Sequence, residues 1–308
     1  MLPLIYHPVY SDFPLPEGHR YPLQKYRLLF ERLQTLALPV RFHQPAPATR
    51  EVIDAIHDPN YVSQLLEGHL PLVKMRRIGF PWSRALITRS LTSLGGTTLM
   101  VDHALRSGFA IHLTGGYHHA HYDFGSGFCL FNDLMIAARH ALTQPGVDKV
   151  MIIDCDVHHG DGTAALAANH PDIMTFSVHC EKNFPSRKPP SDLDLPLPKG
   201  TQDQDYLDAF LPLLDLALAQ HRPDMVIYDA GVDVHQDDAL GYLSLSANGI
   251  YQRDVGVLSR CAYNDIPVAA VIGGGYHDDQ HHLVPLHEQL IQAAINAFPA
   301  TISPLEVS

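Results

Sequence analysis

The segment Asp154-Cys155-Asp156-Val157-His158-His159-Gly160-Asp161-Gly162 concentrates carboxylates and imidazoles in a short stretch of chain. In an extended segment, residues i and i+2 point to the same side. Asp156 and His158 can therefore converge on one cation, offering one oxygen and one nitrogen. A catalytic zinc takes three protein ligands and keeps one position open for water. The third ligand must come from another part of the chain, and Asp233 in Gly231-Val232-Asp233-Val234-His235 is the best candidate. His235 repeats the Asp-Val-His spacing, so it is a fourth ligand, part of a second metal site, or a loop histidine.

His118 and His119 follow a Gly115-Gly116 turn that can aim both rings into one cleft. An activated water needs a proton acceptor and a leaving amine needs a donor, and histidine serves both near neutral pH. Asp154 and Asp161 flank the metal candidates and could each back one of these histidines through its second ring nitrogen. Tyr276 ends Gly273-Gly274-Gly275-Tyr276, where its hydroxyl can be offered to a substrate oxygen. A run of glycines alone usually marks only a tight turn. The chain holds 21 histidines, many of them clustered, as at 118, 119 and 121, 158 and 159, and 277, 281 and 282.

Elements must bring these residues together. Short apolar segments recur at 2–6, 109–113, 150–153, 173–178, 225–228 and 268–272. They are apolar without alternation, as strands buried on both faces are. Amphipathic stretches of helical length lie at 24–36, 82–105, 132–142, 204–220, 247–263 and 280–297. This pattern predicts a three-layer α/β/α fold with a mainly parallel sheet, in one domain over 1–308. The chemistry-bearing residues each follow the carboxyl end of an expected strand, the edge at which open parallel sheets bind ligands. The Pro- and Asp-rich stretch 185–198 reads as a long surface loop.

Composition narrows the function. A net charge of −12 argues against a nucleic-acid surface. It suits a cationic substrate or partner, though solubility alone would explain it. The four cysteines, Cys129, Cys155, Cys180 and Cys261, form no CxxC pair and no disulfide framework, which fits a reducing compartment. No signal peptide is visible, and no apolar run approaches the ~18 residues of a membrane span. A cytoplasmic protein is expected, with a monomer favoured.

Taken together, GGYHHAHYDFGSGFCLFND (115–133), DCDVHHGDG (154–162), GVD (231–233) and GGGY (273–276) resemble the histone deacetylase superfamily, which includes bacterial acetoin-utilisation-type proteins and acetylpolyamine amidohydrolases. The N-terminal YHPVYSDFPLPEGHRYPLQKYRLL is similar to small bacterial members near the class IV deacetylases. The resemblance implies the arginase/deacetylase-like fold and hydrolysis of the acetyl or other acyl amide of a lysine side chain, in a peptide or protein, or of a small acylated amine. It implies one catalytic zinc on Asp156, His158 and Asp233, with His235 a non-ligand. It pairs His118 with Asp154 and His119 with Asp161, makes His119 the general base and acid, and gives Tyr276 the carbonyl oxygen. It assigns Gly127, Phe128 and Phe184 to the walls of a substrate tunnel. It also implies a structural potassium ion at Asp154, Asp156, His158, Ser177 and the Val178 backbone. Seven positions after Asp233, where polyamine-preferring members tend to carry an acid, stands Leu240, which speaks against an extended polyamine substrate. A two-metal ureohydrolase on the same fold and a non-enzymatic binder of acylated ligands are the competing readings.

Overall fold

The computed structural model describes residues 1–298; residues 299–308 of the expected domain lie outside the described residues. In chain order the elements are β1 (Leu2–Ile5), α1 (Lys25–Thr35), β2 (Val40–His43), α2 (Arg50–Asp54), α3 (Pro59–Glu67), α4 (Leu72–Ile78), α5 (Arg84–Ser107), β3 (Phe109–His112), α6 (Asp133–Ala141), β4 (Val150–Asp154), α7 (Asp161–Ala167), β5 (Ile173–Cys180), β6 (Leu193–Leu197), α8 (Asp203–His221), β7 (Met225–Asp229), α9 (Ala247–Tyr263), β8 (Val268–Val271) and α10 (Leu283–Ala297). The strands form one 8-stranded sheet in the order β2-β1-β3-β8-β7-β4-β5-β6, and every pairing is parallel.

The apolar segments became β1, β3, β4, β5, β7 and β8, the inner strands. In β1, β3, β4, β7 and β8 every residue is buried, because helices cover both faces of a parallel sheet. Their side chains make up much of the core, where truncating one large aliphatic residue typically costs about 2–5 kcal/mol.

The two edge strands depart from the expectation. The stretch 185–198 is not loop throughout, since β6 lies within it. Its sequence, LDLPL, carries an acid and a proline, which only an edge tolerates, because proline gives no donor to a ladder. At the other edge β2, VRFH, is nowhere fully buried. The long helices match their sequence signals to within a few residues. α5 starts after Ser83, whose hydroxyl accepts the Leu86 N–H as an N-cap. The segment from 280 first makes a 3-10 turn, and α10 begins at Leu283.

Candidate active site

The loops after β3, β4, β7 and β8 meet at the carboxyl edge of the sheet. β4 pairs with β7 on one side and β5 on the other, which sets Asp154 beside both Asp229 and Ser177. Beyond Asp154 the chain turns inward and its carboxylates are held by backbone donors. Asp154 Oδ1 accepts the Asp156 N–H at 3.1 Å, and Asp156 Oδ1 accepts the His158 N–H at 2.9 Å. Asp156 Oδ2 accepts the Gly274 N–H at 3.1 Å, and Asp233 Oδ1 accepts the Val157 N–H at 2.9 Å.

The donors left over converge. His158 Nδ1 lies 2.9 Å from Asp156 Oδ1 and 3.3 Å from Asp233 Oδ2. Asp233 Oδ2 is buried and has no hydrogen-bond partner. One donor atom from each of Asp156, His158 and Asp233 lies within 4.8 Å of the others. Gly274 closes this nest: a Cβ there would sit 2.1 Å from Asp233 Oδ2 and 2.3 Å from Asp156 Oδ2. An orphaned buried carboxylate oxygen in an N,O,O donor set fits a divalent cation such as zinc. Against burial, Asp156 and Asp233 raise the His158 pKa to about 10. Burial and the charge of Asp156 raise Asp233 to about 7. A cation bound here must therefore displace a proton from His158.

Beside this nest stand the two histidines of the Gly115-Gly116 turn. His118 Nδ1 is 2.7 Å from Asp154 Oδ2, and His119 Nδ1 is 2.6 Å from Asp161 Oδ1. Their Nε2 atoms face each other at 3.1 Å. Burial opposes a charge on either ring, but at His118 the carboxylates of Asp154 and Asp156 prevail and hold its pKa well above the ordinary value. At His119 burial and the neighbouring His118 cation win over Asp161, and the pKa falls to about 3. Two adjacent imidazoles are thus divided into a cation and a neutral base. His121 Nε2 contacts the other Asp161 oxygen at 2.9 Å, a partner the motif did not announce.

His158 brings the nest to the floor of a cleft of about 1250 Å³. His119, His158, Gly127, Phe128, Phe184, Leu240 and Tyr276 all line it. The Phe184 ring stands perpendicular to His119 with centroids 4.8 Å apart, and Phe128 is 6.1 Å from the Tyr276 ring. Gly127 and Phe128 both have left-handed backbone, at φ 52° and 65°. For phenylalanine that is an unfavourable conformation, held here by the turn. A Cβ on Gly127 would sit 2.5 Å from His119 Cδ2. Asp154 and Ser177 are register neighbours, and Ser177 Oγ lies 3.0 Å from His179 Nδ1. His235 does not reach the nest; its ring faces Asp237 and His282.

Several residues at the site had no motif to signal them. Lys25, on α1, is buried and its ammonium donates to the Gly273 carbonyl at 2.9 Å and the Gly275 carbonyl at 3.4 Å. Burial, opposed by Asp233 and Asp156, lowers its pKa to about 8. Arg253, on α9, donates from one nitrogen to the carbonyls of Cys155 and Gly231, tying together the loops after β4 and β7. Asp229 ends β7 with both oxygens buried and unpartnered. Burial, then the charges of Asp154 and Asp156, raise its pKa well above the carboxylate range. An acid directly after the apolar run of β7 was its only trace in the sequence. At the mouth, Arg20, Arg77, Arg187 and Lys188 line the cleft, where the one carboxylate among the lining residues is Asp161.

The histone deacetylase domain matches residues 19–288. An uncharacterized protein of Picosynechococcus sp. is 45% identical over 298 residues, covering 96% of this chain and 99% of that one. A probable deacetylase of Methanothermobacter thermautotrophicus is 29% identical, over 89% of this chain and 85% of its own. The crystal structure of an HDAC homolog from Aquifex aeolicus superposes with a TM-score of 0.79 at 21% identity, covering 99% of this chain and 89% of that chain.

Proposed function

The chain belongs to the histone deacetylase family and is a hydrolase acting on amides, and from that premise we propose that it is a zinc-dependent deacylase of lysine side chains or similar amines. The observation that carries this reading is the convergence of Asp156, His158 and Asp233 beside two carboxylate-backed histidines at the floor of the cleft.

Zinc, when bound by these three residues, would supply Lewis acidity to the water and the amide carbonyl. His119, neutral and oriented by Asp161, takes the proton of the attacking water at Nε2. It returns that proton to the nitrogen as the C–N bond breaks, so the acyl group leaves as a carboxylic acid and the amine is freed. His118, held cationic by Asp154, supports the developing negative charge electrostatically. Tyr276 offers its hydroxyl to the carbonyl oxygen; burial raises its pKa well above 10, so it remains a donor at neutral pH. Phe128, Phe184, Gly127 and Leu240 enclose the acylated chain. A structural potassium ion at Asp154, Asp156, His158, Ser177 and Val178 belongs to the same reading, supported by the register of β4 and β5.

The cationic mouth sharpens the substrate class. A polyamine would meet Arg20, Arg77, Arg187 and Lys188 on its way in, with no free carboxylate to receive its charges. An acylated amine with neutral or acidic surroundings suits the cleft better, although the molecule as a whole is anionic. The test is release of free amine from a panel of acylated lysine peptides, with acidic or basic flanks, and of acetylated polyamines. Turnover that a chelator stops and zinc restores is the expected result. Zinc-loaded protein that releases amine from no member would overturn it.

A further inference from the structure

The histidine that the catalytic nest does not use has partners of its own. His235 Nδ1 and His282 Nε2 each lie 3.8 Å from the same oxygen, Oδ2 of Asp237. The ligand atoms of the three residues fall within 4.8 Å of one another. At 3.8 Å these are too long for hydrogen bonds. They are close to the spacing of about 3.4 Å that donors take around a tetrahedral ion with bonds of about 2.1 Å. His282 Nε2 is buried and has no hydrogen-bond partner. Three good metal donors thus face one point, and one of them is a buried, unpaired nitrogen.

A second group of similar composition, His159, His179 and Asp194, is set closer, with His159 Nε2 3.2 Å from Asp194 Oδ1. In the group formed by His235, Asp237 and His282, the Asp237 carboxylate is half exposed, so an ion can enter from solvent. His277 stacks on the His282 ring with centroids 4.5 Å apart and holds its orientation. His235 Nδ1 at present accepts the Asp237 N–H at a long 3.2 Å, a contact that a small swing of the ring exchanges for a metal bond.

We propose that His235, Asp237 and His282 form a second divalent transition-metal site, separate from the catalytic nest and suited to zinc, cobalt or nickel. Its place gives it a role. Asp238, next to Asp237, accepts the Tyr276 N–H at 2.7 Å, and Ala239 donates to the Tyr276 carbonyl at 2.9 Å. The 235–239 turn therefore already grips one side of the Tyr276 backbone. An ion joining that turn to His282 pins the chain on the other side of Tyr276 as well. The ion is a brace on the loop and takes no part at the amide, so two ions per chain would not make this a two-metal hydrolase.

The test is titration of metal-free protein with Co2+, following bound metal by equilibrium dialysis and the ligand field by visible absorption. Wild type should bind an equivalent that both His282→Ala and Asp237→Asn lose at a Co2+ concentration that saturates wild type. Asp233→Ala should lose a different equivalent, with a different spectrum. Both His282 and Asp237 reach solvent, so their replacement spares the core. If either variant binds as much Co2+ as wild type with an unchanged spectrum, the site does not exist. Two equivalents lost in Asp233→Ala would also overturn its independence.

Discussion

The floor and the mouth of the cleft are built on opposite principles. At the floor, Asp154, Asp156, Asp229 and Asp233 are buried at 3% exposure or less, and three of them receive backbone N–H groups or histidine nitrogens at fixed distances. At the mouth, Arg20, Arg77 and Arg187 are exposed. Burial strengthens each electrostatic interaction and makes an unpaired charge costly, while exposure lets water and salt screen it. The floor should therefore be intolerant of any change and the mouth should only modulate.

The largest effects should come from the nest. Asp233→Ala should lose the catalytic metal and all turnover, whereas His119→Ala should lose turnover with that metal still bound. Metal analysis alongside the assay separates the two, and turnover in either variant would break the floor's supposed intolerance. Arg253→Leu should come next, because it leaves Asp254 buried without its cationic partner and frees the carbonyls that join the β4 and β7 loops. A loss of about 3–5 kcal/mol in urea unfolding is expected.

Tyr276→Phe should slow kcat by roughly 10²–10³, with little effect on metal content. A variant with the parent rate would remove Tyr276 from the chemistry.

At the end of β3, His112 is buried against Tyr10, and burial lowers its pKa to about 3. The unfolded chain binds a proton there below about 6.5 while the folded one does not, so this residue makes stability fall with acidification between those values. At pH 5 the loss should be about 2 kcal/mol, and His112→Asn should flatten that part of the stability–pH curve.

The smallest effect belongs to the mouth. Arg77→Glu should raise KM several-fold for peptides with acidic flanks, leave kcat alone, and do less as salt rises. An equal effect at high salt would mean that the mouth acts by shape.

The sequence revealed the inner half of this molecule better than its outer half, for a physical reason. Strands buried on both faces must be apolar, so β3, β4, β7 and β8 were visible as runs. Edge strands escape that demand, and so β6 read as loop and β2 was not foreseen at all. The nest was legible because Asp156 and His158 sit two residues apart in one segment, and the glycine-flanked histidines marked its partners. Lys25 and Arg253 were not legible, since each reaches the site from a distant helix and nothing local tells a buried cation from a surface one. The cationic mouth was hidden for the same reason: residues 20, 77, 187 and 188 meet only in three dimensions, and the net charge pointed the other way.

The strand order also bears on how the chain comes to life. β8 is the single strand between the group β2-β1-β3 and the group β7-β4-β5-β6. It pairs Phe109 and Val226 alike to Val268, across long stretches of chain. During synthesis both halves of the sheet emerge before the strand that joins them, and such non-local pairing is slow to form. The segment that follows this strand then delivers Gly274, which closes the nest of carboxylates, and Tyr276. A nascent chain can thus carry every proposed metal ligand and still have no working centre: the last strand to be made joins the halves and arms the enzyme in one step.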